Sequence, residues 1–147
     1  MSNYNSYMKY DSLSKIGKIR EKANKFIVTR LEEEGITGIV PSHGDIMAVL
    51  FKYEKCTMKE IGEKINRTKA TITVLVDKLI SLNLIKKEKS PNDNRVTFVS
   101  LTEKGKQFKP IFEAISKEIN NILYNNLSKE ESETLEILLE KVLNNFT

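Results

Sequence analysis

This 147-residue chain holds one cysteine, Cys56, and one histidine, His43. No internal disulfide can form. A zinc site wants several His or Cys ligands, so neither a metal centre nor another cofactor is expected. His43 and Cys56 lie too far apart in sequence to suggest a catalytic dyad, and the six glycines are scattered rather than gathered into a phosphate-cradling loop. Nothing here supports an enzyme. A signal-peptide pattern is missing, as is any apolar run of about 18 residues. The expectation is a cytoplasmic protein with no membrane partner. Internal repeats and low-complexity tracts are also lacking.

Charge is abundant and unevenly placed. The formal net charge is +4, too small alone to indicate nucleic acid. Residues 59–109 hold twelve Lys/Arg against six Asp/Glu, a net +6. Residues 110–147 hold three against seven, a net −4. A basic face is therefore expected in the middle of the chain, and a different role for its acidic end.

Apolar spacing predicts a mainly α protein. Leu13, Ile16, Ile19, Ala23, Phe26, Ile27 and Leu31 recur every three or four residues, giving an amphipathic helix over about 11–34. Residues 1–10 show no clear period and are expected to form a mobile or partner-docking arm. Pro41-Ser42-His43-Gly44-Asp45 opens a second helix, with Ser42 and Asp45 placed as a capping box. Cys56 falls in a half-buried connector. Thr57 and Glu60 cap a short helix, Asn66-Arg67-Thr68 breaks it, and Thr68 is placed as the next N-cap. Ile72, Leu75, Val76, Leu79 and Ile80 then form the narrowest apolar stripe in the chain. Asn83 ends that helix in the left-handed conformation. Leu84–Lys89 and Val96–Leu101 read as two strands of a hairpin. Thr102 starts a long helix with a kink expected near Pro110, and Ser128 with Glu131 caps the last helix. A short helix, a three-residue turn, a second helix and a hairpin make a winged helix-turn-helix.

The helix over 69–82 has the face of a DNA reader. With Ile72 inward, Ala70, Val74, Asp77, Lys78 and Ser81 point outward, and Thr71 and Thr73 flank them. That face is small at its start, as entry into a major groove requires. Arg67, Thr68 and Lys69 stand where cations, hydroxyls and free N–H groups hold phosphates. A thymine methyl would explain an outward Val74, although an ordinary surface helix can also carry one valine. In the hairpin, Asp93-Asn94-Arg95 places a lone arginine at the turn. Such an arginine fits a narrow A·T minor groove, and Asp93 can hold it by ion pairing. The alternative is a plain turn with local Asx bonds.

The stretch PNDNRVTFVSLTEKG resembles the wing of the MarR (multiple antibiotic resistance regulator) family. The matching pattern is Asp93, Arg95, Leu101, Thr102 and Gly105. The segment MKEIGEKINRTKATITVLVDKLISLNLIKK resembles that family's helix-turn-helix. The likeness covers residues 40–110 most clearly. It implies a homodimer in which residues 1–40 and 102–147 form the dimerisation region and residues 41–101 form the DNA-binding winged helix. It also implies a palindromic operator in double-stranded DNA, and a repressor released by a small-molecule effector. The implied contacts are Arg67, Thr68, Lys69, Ala70, Thr71, Thr73, Val74 and Lys78 in the helix-turn-helix and Asp93, Asn94 and Arg95 in the wing. Many members carry a basic residue where Val74 stands, so no operator sequence is carried over. Cys56 is expected to be structural. His43 is a candidate for bordering an effector pocket, against a helix-start histidine that hydrogen-bonds locally. The competing reading is a winged-helix protein-interaction module without specific DNA binding.

Overall fold

The computed structural model describes residues 10–146. Among these are seven helices and three strands: α1 (Ser12–Glu33), α2 (Pro41–Tyr53), β1 (Lys55–Thr57), α3 (Met58–Ile65), α4 (Lys69–Ser81), β2 (Ile85–Lys89), β3 (Thr97–Leu101), α5 (Glu103–Gln107), α6 (Lys109–Leu123) and α7 (Lys129–Asn144). The expected arm at residues 1–10 lies, but for Tyr10, outside the described residues. The chain divides into two compact units, one ending at Ile115 and one running from Ser116 onward.

The first unit is a winged helix. The buried stripe of α4 is Ile72, Leu75, Val76 and Leu79. It joins Ile46, Met47 and Leu50 of α2, Ile61 of α3, and Ile85 and Val99 of the sheet in one core. Leu31, Ile36 and Ile39 complete that core from the end of α1 and the connector after it. Ala23, Phe26 and Ile27 are half-buried, and Ile27 packs against the core. The start of the α1 stripe is not covered: Leu13 is 81% exposed, and Ile16 and Ile19 are also exposed.

The expected hairpin is part of a three-stranded antiparallel sheet of order β1-β3-β2. Three local readings need correction. Cys56 is not in a half-buried connector. It lies buried in β1, opposite Val99. A three-residue strand is too short to show a period, and its hydrogen bonds come from a strand about forty residues later. The second helix is not capped by Ser42 and Asp45. It starts at Pro41 with Val40 as N-cap, and the Val40 N–H donates to His43 Nδ1 at 2.9 Å. Proline at the first helical position fixes that start. Finally, the long helix after Thr102 breaks rather than kinks. α5 ends at Gln107 with Phe108 as its C-cap, and α6 begins at Lys109. Pro110 disfavours helical continuation through the residue before it but suits a first turn.

The junction after α4 explains much of the LTxxG motif. Asn83 is left-handed, with φ 59°. Thr102 donates its hydroxyl to Asn83 O at 2.6 Å and accepts from Gly105 N at 3.0 Å. A Cβ on Gly105 would collide with the Leu84 carbonyl oxygen. Leu101 is buried beneath this turn. These residues lock α5 to the end of the helix-turn-helix and work through packing.

In the second unit, Ser128 and Glu131 form the expected reciprocal capping box at the start of α7. None of the sixteen residues of α7, all of them described, is buried. Leu135, Ile137, Leu138, Leu139, Val142 and Leu143 are all exposed.

Candidate nucleic-acid interface

The turn before α4 is set by backbone chemistry. Asn66 takes a left-handed conformation, φ 54°, and ends α3. Asparagine tolerates this better than most residues because its short amide bonds locally. Thr68 then caps α4: its Oγ1 accepts from Thr71 N at 3.2 Å and lies 3.0 Å from Thr71 Oγ1. Arg67 reaches the Asn66 carbonyl through Nη1 at 3.3 Å. The α4 stripe is buried, so Lys69, Ala70, Thr71, Val74 and Asp77 are presented to solvent. Val74 is 68% exposed.

The wing tip is rigidly tied. Ser90 N donates to Val96 O at 2.9 Å and Val96 N to Asp93 O at 3.0 Å. Asp93 grips Arg95 in three ways. Oδ1 accepts from Arg95 N at 3.0 Å and from Nε at 3.1 Å, and Oδ2 accepts from Nη2 at 3.2 Å. The Arg95 side chain nevertheless remains 91% exposed. The Arg95 guanidinium, and then its amide, hold the Asp93 carboxyl below its ordinary pKa of 3.8. This is a fork in which the acid aims the base and leaves its outer edge free for another anion. Asn94 sits exposed in the same turn.

An open groove of about 1090 Å³ runs between α3, α4 and the wing. Met58, Gly62, Lys69, Thr73 and Arg95 are among its walls. Six cations line it (Lys59, Arg67, Lys69, Lys87, Lys89 and Arg95) against the carboxylates Glu63 and Glu88. Of the helix-turn-helix and wing candidates, Arg67, Lys69, Thr73 and Arg95 line this cationic concavity. Lys59 has no signal of its own in the sequence, whereas Lys87 and Lys89 stand on the strand that rises to the wing, where lysines can contact phosphates. Lys87 also pairs with Asp77. The two lie 3.3 Å apart and tie β2 to α4.

Lys78 and His43 are engaged elsewhere. Lys78 folds back toward the α1–α2 connector, where its Nζ would lie 2.7 Å from a Cβ placed on Gly38. Gly38 itself is left-handed, with φ 75°. His43 is 5% exposed and serves as the α2 cap described above. Burial first, and then the Lys78 charge, hold its pKa below 6.5 against the opposing Val40 hydrogen bond. Nδ1 lies 2.9 Å from Val40 N and 3.2 Å from Val40 O. Cys56 is held protonated: burial raises its thiol pKa, and the Glu60 carboxylate adds to that. Among the described residues no group of three or more His, Cys, Asp or Glu is placed to hold a metal ion. No helix there is long and apolar enough to cross a membrane.

Comparison with known proteins gives a consistent result. The profile of the MarR family matches residues 39–97. The HTH-type transcriptional regulator MhqR of Bacillus subtilis is 34% identical over 106 residues, covering 71% of this chain and 72% of that protein. The HTH-type transcriptional regulator SarZ of Staphylococcus epidermidis is 33% identical over 94 residues, 63% of this chain and 62% of that one. Among solved structures, the S. aureus MepR–DNA complex superposes with a TM-score of 0.84 at 24% identity, over 93% of this chain and 99% of that one. A mutant MarR from E. coli complexed with operator DNA superposes with a TM-score of 0.79 at 23% identity, over 93% and 97%.

Proposed function

The chain belongs to the MarR family of transcriptional regulators, and on that premise we propose that it acts as a homodimer on a palindromic operator in double-stranded DNA. Residues 41–101 form the DNA-binding body of each protomer. Residues 1–40 and 102–147 pair the protomers. The α4 helix enters the major groove with Ala70, Thr71, Thr73 and Val74 toward the bases. Arg67, Thr68 and Lys69 hold phosphates at its start. Arg95, steadied by Asp93 and flanked by Asn94, enters the adjacent minor groove. Lys78 is left out of these contacts because its ammonium lies against the α1–α2 connector.

The observation that carries this reading is the Asp93–Arg95 fork. Here the carboxylate uses two oxygens to aim a guanidinium that stays almost wholly in solvent. The groove beside it holds cations in excess. Release of the operator by a small-molecule effector, and with it a repressor role, rests on family membership. The buried, capping His43 supports a structural role for that residue in preference to effector contact.

The test is a titration against a duplex enriched from a random-sequence library, at several salt concentrations. Arg95→Ala should weaken binding by about tenfold or more. If the arginine contacts phosphate as well, the salt slope should fall by about one unit. Equal affinity of variant and wild type would remove the wing from the interface. Enrichment of no duplex would favour the protein-interaction module.

A further inference from the structure

The α4 face is poor in groups able to read guanine. Between Lys69 and Ser81 the helix contains no Arg, Asn or Gln. Those side chains, with Lys, make the bidentate contacts by which guanine and adenine are told apart in the major groove. The polar groups that are present are largely engaged. Thr73 Oγ1 donates to Lys69 O at 2.9 Å, and Ser81 Oγ to Lys78 O at 2.6 Å. The Thr68 and Thr71 hydroxyls bond each other, leaving one proton of the pair to offer. Asp77 is paired with Lys87. Lys78 is turned back over Gly38. Lys69 stands at the first helical position, beside the capping turn.

What remains exposed on the first turns of α4 is a set of methyl-bearing residues, Ala70, Thr71 and Val74. Val74 is the most exposed of the larger apolar residues between Lys69 and Leu101. The feature of a base pair that such a surface can recognise in the major groove is the C5 methyl of thymine.

We propose that this protein selects its half-site in the major groove by thymine methyl groups, with Val74 as the specificity-determining residue, and not by hydrogen bonds to guanine. The inference rests on the DNA-binding reading above. Desolvating one methyl corresponds to about a fourfold gain in affinity, so a symmetric pair of contacts gives about fifteenfold.

The experiment starts from the duplex enriched by the full-length protein from a random library. Each thymine is replaced in turn by deoxyuridine, which removes the methyl and keeps base pairing. Each guanine is replaced in turn by 7-deazaguanine, which removes the N7 acceptor. Deoxyuridine at one symmetric pair should weaken wild-type binding about fifteenfold. Val74→Ala, on an exposed position that leaves the fold intact, should bind the thymine and deoxyuridine duplexes equally. The 7-deazaguanine duplexes should bind like the parent. Insensitivity to deoxyuridine at every position would overturn the proposal. So would a deoxyuridine loss of the same size in Val74→Ala, or a larger loss from 7-deazaguanine than from deoxyuridine. Enrichment of no duplex at all would overturn the DNA-binding reading itself, and the inference with it.

Discussion

Gly105 and His43 show how single residues hold the wing and the helix-turn-helix in place. At Gly105 no side chain fits, because the Leu84 carbonyl occupies the space a Cβ would need. Gly105→Ala should therefore destabilise the protein by about 1–3 kcal/mol, the usual cost of overpacking, read as a lower urea midpoint. An unchanged midpoint would mean that α5 can move away from Leu84 freely. His43 makes stability depend on pH. Its ring is neutral in the fold and its pKa lies below the ordinary 6.5. The unfolded chain thus binds a proton that the folded chain refuses. The His43 contribution is complete above 6.5 and is lost as pH falls from there toward the folded pKa. Chemical denaturation between pH 7.5 and 5.5 should show the midpoint falling on acidification. His43→Gln retains a capping side chain at the third helical position and cannot titrate. It should flatten that dependence, and an equal slope in the variant would assign the effect elsewhere.

At the scale of elements, the junction of α4, the sheet and α5 depends on one hydroxyl. Thr102 both caps α5 and ties it to the Asn83 carbonyl, nineteen residues earlier in the chain. Thr102→Ala loses both bonds. A lost N-cap alone costs about 1 kcal/mol, within a range of about 0.5–2. The variant should therefore melt several degrees lower, as followed by circular dichroism. Thr102→Ser keeps the hydroxyl and should stay close to wild type. A serine variant as unstable as the alanine one would show that the methyl group matters instead. The wing is a second such case. The exposed Asp77–Lys87 pair links β2 to α4, on the strand that leads to the wing tip.

At the scale of the whole molecule, the apolar faces of α1 and α7 find too little cover within one chain. Ile137, Leu138, Val142 and Leu143 of α7 are exposed, as are Leu13 and Ile19 of α1. Patches of this kind mark interfaces. A charged residue on a truly solvated helix face changes stability by less than about 0.5 kcal/mol. If α7 is a dimer face, Leu138→Lys with Leu143→Lys should shift the light-scattering mass to that of one chain, 16.9 kDa. The wild type should show twice that, with a melting temperature that rises with protein concentration. A monomeric wild type would remove the dimer from the proposed function.

Much of the fold was legible in the sequence because it rests on local rules. The α4 stripe fixes which face is buried, and with it that Val74 looks outward. Thr57, Thr68, Thr102 and Ser128 cap helices because a short hydroxyl reaches the next free N–H groups. Asp93 and Arg95 are near enough in sequence for their pairing to follow from the turn alone. The features that only the tertiary structure decided all depend on distant partners. β1 exists because β3 passes beside it. His43 replaces Ser42 and Asp45 in capping α2 because Pro41 starts the helix earlier and the core closes over the ring. Lys78 leaves the outward face because Gly38, in the connector between α1 and α2, leaves room for its ammonium. Periodicity gives a residue's direction from its own helix axis, but the final position of a long side chain depends on what the rest of the chain packs against it.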